Sequence, residues 1–523
     1  MNHRTRAVVA SGLAVTALLT AAGTGVTPAL ATTLAPAATS LKTLVIGSQQ
    51  APPTLDPTAN AAQAIDEVVD YNVLQHLVQL APDGKIVPVL ASSYTLSSNR
   101  LVYTFTIRPG VKFSNGDALT PADVVYSIDR VTAKKYPYAA IFDVASAAAV
   151  GTDQVAVTLQ SPSWSFLFDL ASYSNGVIVD PSTVSTLGTD PIGTGPYEVT
   201  GQVANYSVSL KADPTYWGTA PGVAGIEFRY FTDSNAEDAA LQDGQIQVID
   251  NLSSPDEAST FTGDPAKYGV IGGLTNGKVQ LTINNTAGPF ASKLVRQAVN
   301  YAIDKQAVIQ VASAGLGAPI GSDTVPSDPY YLNLANLYPY NPSKAKQLLA
   351  KAGYPHGFST TLTLPPYFYA QLAAPVIQSE LGAVGITVTI QNVAWPLWLS
   401  RVFEGGNFDL TIIDHAEARD VGNYATKGYY WHFAGTSQVA TQLTAANAAP
   451  TEQGWIAGTQ AILREISNDA VNDWLYALPV LEVHLKGVIG LPTGGYTESF
   501  DLQYVSWGGT VPASAVALGY SDS

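Results

Sequence analysis

The chain contains no cysteine. That absence excludes a disulfide scaffold, a thiolate metal centre, a cysteine nucleophile and a lipidated N-terminal cysteine. Charge is sparse: Asp, Glu, Lys and Arg make up 13% of 523 residues, with 25 Lys+Arg against 41 Asp+Glu. A formal charge of −16 leaves no cationic footprint to displace counterions from phosphates, so no nucleic-acid partner is expected. Beyond the N-terminus no stretch approaches the ~18 uninterrupted apolar residues of a membrane span. Three catalytic signatures are also missing: the Gly-x-Ser-x-Gly elbow, the His-Glu-x-x-His helix and the Gly-x4-Gly-Lys-Ser/Thr phosphate loop.

What is present describes a folded, turn-rich protein. Apolar residues account for 46%, with 44 glycines and 33 prolines. The length exceeds what one core sustains (about 250–300 residues), so two or three domains are expected. At the N-terminus Arg4 and Arg6 precede an apolar run from Ala7 to Ala22, and Ala29-Leu30-Ala31 supplies a small-x-small cleavage site. Residues 1–31 therefore read as an export signal and 32–41 as a flexible leader. The mature protein is expected outside the cytoplasm, periplasmic or secreted.

Strand and helix patterns alternate along the rest of the chain, which places it in the α/β class. "TLVIGS" at 43–48 reads as a buried strand. From Ile65, apolar residues recur at Val68, Val69, Val73, Leu77 and Leu80 and predict one helix face. Leu101, Tyr103, Phe105 and Ile107 alternate as in a half-buried strand. Thr120 caps a helix that begins at Pro121, with Asp123 in the capping-box position; Asn341 and Pro342 repeat the pattern, and Gly353 ends that helix.

Several blocks in fixed order carry a resemblance. They are Leu55-Asp56-Pro57, the run from Arg108 through Phe113-Ser114-Asn115-Gly116 to Asp123-Val124-Val125-Tyr126-Ser127, "GTGPYEV" (193–199), "DPTYWG" (213–218), "DSNAEDAALQDGQIQV" (233–248), "INNTAGPFASKLVRQAVNYAIDKQAVI" (283–309) and "YNPSKAKQLLAKAGYP" (340–355). The order, over residues 42–490, resembles the family 5 solute-binding proteins, the extracytoplasmic receptors of peptide, nickel and opine ABC importers. The resemblance implies a two-lobed periplasmic-binding-protein-like fold, the large type II or cluster C form, with an extra subdomain inserted in lobe one. Lobe one is then expected over 42–60, 190–282 and 485–523, the insertion over 61–189, and lobe two over 283–484.

The chemistry-bearing stretch is "DHAEARDVGNYATKGYYWHF", residues 414–433. His415-Ala416-Glu417 matches the His-x-Glu of zinc deaminases, but their Pro-Cys-x-x-Cys partner is excluded by the missing cysteines. "GTGPYE" starts like a dinucleotide fingerprint, yet Pro196 and Glu198 stand where a helix and a third glycine belong. His415, Asp414, Glu417 and His432 are hard or borderline ligands, so a metal alternative centred on His415 and Glu417 stays open. An organic-solute pocket fits the aromatic content better. Trp395, Trp398, Arg401, Tyr424, Tyr429 and Trp431 would line it from lobe two. Ser48, Gln49 and Gln50, at the end of the first strand, would face them, and Asn284 and Asn285 would reach amides of the ligand. If 428–433 is extended, Tyr429 and Trp431 share one face and Tyr430 and His432 the other.

Peptide-binding members of the family carry a Gly-Trp-x-x-Asp-Tyr-x-Asp-Pro-like segment after this strand, whose aspartate pairs with the peptide's amino terminus. Here the place of that aspartate falls on Ala418, beside Glu417, which can pair with a cationic group. The expected function is a substrate-binding protein of an ABC importer, with a peptide as first choice of solute. Opine, oligosaccharide and nickel or metal-chelate ligands are alternatives, and a secreted hydrolase with paired carboxylates is the rival class. No catalysis and no cofactor are expected. The partners are permease subunits and the small-molecule solute, with the membrane contacted only through the permease.

Overall fold

The computed structural model describes residues 42–522 other than 61, 135, 137–141 and 253, and only the backbone of 255 and 256. The expected export signal and leader lie outside the described residues. Ten strands carry an 11-stranded mixed sheet: β1 (Thr43–Ser48), β2 (Tyr197–Val203), β3 (Ser207–Ala212), β4 (Gly225–Tyr230), β5 (Val248–Ile249), β6 (Tyr268–Ile283), β7 (Phe358–Leu364), β8 (Ile386–Asn392), β9 (Leu410–His415) and β10 (Asp473–Leu485). They lie in the order β8-β7-β9-β6-β10-β5-β1-β4-β3-β2, and the short strand Ala318–Pro319 joins β10 off this path.

Two strands hold the halves together. β6 has 16 residues and β10 has 13, long enough at about 3.4 Å per residue to serve both wings of the sheet. Their antiparallel pairing breaks register between Leu274 and Lys278. On one side of the break β10 pairs with β5, and on the other β6 pairs with β9. Each wing packs its own core. Leu44, Ile46, Leu210, Phe228 and Val248 cluster in the first, and Leu281, Val299, Leu362 and Ile412 in the second. Each such side chain contributes about 1.5–3 kcal/mol on burial. The α/β class and the two-lobed plan expected from the sequence are what the molecule has.

Strand direction decides which end of each lobe matters. β5 runs antiparallel to β10 and is parallel to β1, which is parallel to β4. The C-terminal ends of β1, β4 and β5 therefore point toward the crossover. β9 runs antiparallel to β6, and β7 and β8 run parallel to it in turn, so their C-terminal ends point back from the other side. In α/β sheets ligands bind outside the carboxyl ends of strands.

Between β1 and β2 a separate sheet forms, ordered Ala91–Leu96, Val102–Ile107, Gln154–Leu159, Val144–Val150. Tyr103, Phe105 and Ile107 are buried in alternation, as predicted. The helix Pro121–Lys134 has its capping box: Asp123 Oδ2 accepts from the Thr120 N–H and hydroxyl, both at 2.8 Å. Asn341 Oδ1 accepts from the Lys344 N–H at 2.9 Å, and Gly353 takes φ +93° after the helix Pro342–Lys351.

The periodic run from Ile65 to Leu80 is not one helix. The helix spans Gln63–Val69, Tyr71 adopts φ +66°, and Val78–Leu80 is a strand. A tertiary clamp overrides the periodicity: Asn72 Nδ2 donates to Val68 O at 3.2 Å and Phe500 O at 2.8 Å, and its Oδ1 accepts from the Leu502 N–H. Among the described residues no helix is long and apolar enough to cross a membrane.

Candidate functional site

β9 ends at His415, paired with Lys278 just past the register break, so residues 414–420 emerge at the crossover. Lys278 is 2% exposed, yet its ammonium has three partners: Asp420 Oδ1 at 2.9 Å, Glu417 O at 2.7 Å and Asn276 O at 3.2 Å. Burial works against its charge, but Asp420 and Asp323 hold the lysine above its ordinary value. Burial raises Asp414 to about 6 against the pull of Lys278, and Asp323 is likewise raised by burial and by Asp420.

The His415 ring is buried, with Nε2 2.9 Å from the Tyr430 hydroxyl. Its Nδ1 stands 3.7 Å from Asp420 Oδ2 and 3.8 Å from Glu417 Oε2. Glu417 keeps 71% of its side chain exposed, and the His415 ring draws its carboxyl down to about 2. Donor atoms of His415, Glu417 and Asp420 lie within 4.8 Å of one another, the geometric minimum for a cation. One of these acids is already engaged, since Asp420 faces the Lys278 ammonium.

The stretch then crosses to the inserted subdomain. Arg419, at φ +56°, lays its guanidinium 3.8 Å from the Phe168 ring, and Ala418 packs on that subdomain's core. Burial raises the neighbouring Asp169 to about 7, with Arg419 opposing. Nearby, Trp164 Nε1 donates to Ala449 O at 3.2 Å and Arg100 donates to Ala448 O at 3.3 Å.

The expected alternation over 428–433 is replaced by a turn, closed by the His432 N–H on Tyr429 O at 2.8 Å. Tyr430 and Trp431 both point into the core instead of opposite ways, while Tyr429 and His432 stay half-open. Tyr424 stacks on Trp431 at 4.5 Å and is equally buried, so both are packing residues. Trp398 is buried with Nε1 donating to Thr411 Oγ1 at 2.9 Å, whereas Trp395, stacked on it at 5.0 Å, is half-open. Tyr367 and Phe403 extend the open aromatic surface, contacting Trp395 and Tyr429, and sequence reasoning missed both. Arg401 donates to Gln391 Oε1 at 3.2 Å on the outside of its helix.

Asn284 and Asn285 fall elsewhere. They follow the far end of β6, away from the crossover, and their amide nitrogens hold backbone: Asn284 on Gly406 O and Phe408 O, Asn285 on Ile283 O and Val471 O. The expected ligand contacts are strand-end clamps.

The first-lobe rim is where β1 delivers Ser48, buried, followed by exposed Gln49 and Gln50. Gln49 Nε2 donates to Glu237 Oε2 at 3.0 Å. Behind them stand acids absent from the sequence reading. Glu67 and Asp250 neighbour each other and Ser48, and burial raises both acids. Glu482 on β10 is buried beside Asp250, next to where β5 ends. Two signals were available: an acid directly after the apolar pair Val248–Ile249, and a lone Glu482 inside the apolar run of β10.

Residues 85–441 match the model of bacterial extracellular solute-binding proteins, family 5 middle region. The glutathione-binding protein GsiB of Salmonella typhi is 33% identical over 348 residues, covering 64% of this chain and 67% of that protein. The ABC transporter substrate-binding protein CtaP of Listeria monocytogenes superposes with TM-score 0.79 at 20% identity, covering 90% of this chain and 99% of CtaP. AgaA of A. tumefacien R10, solved with agropinic acid, superposes with TM-score 0.67 at 25% identity, covering 92% and 99%.

Proposed function

Because the chain belongs to the bacterial extracellular solute-binding proteins of family 5, we propose that it captures a short peptide between its lobes and delivers it to the permease of an ABC importer. Its relatives are transport binding proteins. The observation that carries the reading is convergence. Six strands, three from each lobe, end at the crossover and bring carboxyls and a half-open aromatic wall to the same region. Peptides offer the matching groups: an ammonium for the exposed Glu417 carboxylate, amides for Gln49 and Gln50, and side chains for Trp395, Tyr367 and Tyr429. The relatives named for glutathione, itself a tripeptide, support that size of solute.

In this reading 42–60, 190–282 and 485–523 form lobe one with 61–189 inserted, and 283–484 form lobe two. The β6–β10 pair is the hinge, with its register break as the bending point. Ligand and closed form stabilise each other because only the closed form touches the solute from both sides. A second reading is a metal chelate held by His415, Glu417 and Asp420. The Lys278 ammonium 2.9 Å from Asp420 argues against it, since a bound metal would meet a fixed positive charge.

Native mass spectrometry of the purified protein, with metal analysis on the same sample, tests both. A co-purified peptide mass, and stabilisation by added peptide of about 2.7 kcal/mol at 100 times Kd, is the expected result. One metal per chain sinks the peptide reading. Product released from peptides by the wild type and abolished by Glu417→Gln would make the protein a hydrolase instead.

A further inference from the structure

We propose that the first-lobe rim is a subsite for an organic cation, a guanidinium or primary ammonium borne by the solute, accepted by Glu67, Asp250 and Glu482. The inference rests on the receptor reading above and specifies the chemistry of what is received.

The geometry comes first. The three acids arrive from three elements: Glu67 from the helix Gln63–Val69, Asp250 from the end of β5, and Glu482 from β10. β1 and β4 add Ser48 and Tyr230, which pair across the ends of their strands. All sit at carboxyl ends of strands or beside them, on the side facing the crossover. Glu67, Asp250 and Tyr230 are half-buried, so a group entering from the crossover meets them.

Among the described residues no cation compensates this cluster. Among the described residues, none of the ion pairs involves Glu67, Glu237, Asp250 or Glu482. The groups that act on them are other acids, the Ser48 hydroxyl, the Gln49 amide and the Asn251 backbone. A second observation points to a ligand. Glu482 is 2% exposed and its Oε1 has no hydrogen-bond partner, with Asp250 as its acidic neighbour. Glu67 Oε1 and the Tyr230 hydroxyl are also unpartnered. Buried acceptors without donors are costly, and a multi-donor cation supplies the donors and the charge together.

The arrangement favours an organic cation over a metal. The one set of three acidic or histidine donors gathered tightly enough for an ion, among the described residues, is His415, Glu417 and Asp420 in the other lobe. The first-lobe acceptors are more widely spread, which suits a fork of N–H donors. Burial raises Glu67, Asp250 and Glu482, and a bound cation acts on all three in the opposite direction.

Calorimetry with Ala-Arg-Ala, its citrulline isostere and agmatine tests the assignment on the full chain. The arginine peptide is expected to bind about 10- to 100-fold more tightly than the citrulline peptide. Asp250→Asn and Glu67→Gln, made singly, are expected to remove most of that difference. Both are isosteric and relieve repulsion, and circular dichroism checks that each variant folds. Equal binding of the two peptides overturns the inference and leaves the receptor reading standing. Agmatine binding that the variants lose, with neither peptide bound, supports the subsite and overturns the peptide reading. No binding of any of the three overturns both. Agmatine displaced by equimolar Ca²⁺ assigns the cluster to a metal and overturns the organic cation.

Discussion

The two rims that face each other across the crossover hold similar numbers of acids in opposite electrostatic states. In the second lobe Asp420 is met by Lys278 at 2.9 Å, the Glu417 carboxylate by the His415 ring at 3.8 Å, and Asp328 by Arg419 at 4.0 Å. Compensation is built into the chain there. Among the described residues, Glu67, Glu237, Asp250 and Glu482 of the first lobe have no such partner, and burial raises all four. A compensated rim completes its own pairing. An uncompensated one stores an interaction that only a proton or an incoming cation completes.

The largest expected effect comes from erasing the compensation. Lys278→Met leaves Asp420 and Asp323 buried without their cation, and should lower unfolding free energy by about 3–5 kcal/mol. Urea titration measures it; a loss below about 1 kcal/mol would mean that the two rims do not differ as described.

Titrating the uncompensated rim comes next. Glu237 is raised from 4.5 to about 8 by burial first, with Gln49 opposing and Asp250, Asp238 and Glu257 adding to the rise. A carboxyl raised on folding binds more protons in the native state. Its contribution is fully present below pH 4.5 and is lost as pH rises through about 8. Stability should therefore increase on acidification from pH 8 to pH 5, and Glu237→Gln should remove about 2 kcal/mol of that gain. Unchanged pH dependence in the variant would place the titration elsewhere.

The smallest effect separates wall from core within the second lobe. Trp395→Ala should weaken solute binding by about 1–2 kcal/mol and barely move the melting temperature, because its ring is half-open. Trp431→Ala, a buried ring, should unfold the lobe before any affinity is measurable. Equal behaviour of the two in a paired melt and titration would erase the distinction.

Local chemistry was legible wherever a short segment decides its own structure. The Thr120 and Asn341 caps and the Tyr103-Phe105-Ile107 alternation are read from a few adjacent residues and recur in the molecule. The Ile65–Leu80 run is not one helix because Asn72 serves Phe500 and Leu502, each more than 400 residues away in the chain, as well as Val68. The Tyr429–Trp431 faces, expected only for an extended stretch, do not form because a turn carries these residues. Asn284 and Asn285 looked free because their carbonyl partners at 406, 408 and 471 are remote in sequence.

By itself the sequence determined the lobed α/β plan, the family and the place where β9 opens into residues 414–433. Those follow from ordered blocks and local periodicity, which the chain carries in linear form. Only the tertiary structure decided which of these residues are wall and which are core, and that the acids of one rim carry their own cations. Burial and pairing are relations among segments: Lys278 meets Asp420, and Glu67 meets Asp250, only after the strands are laid side by side. A carboxylate's cost depends on that company and not on its neighbours in sequence.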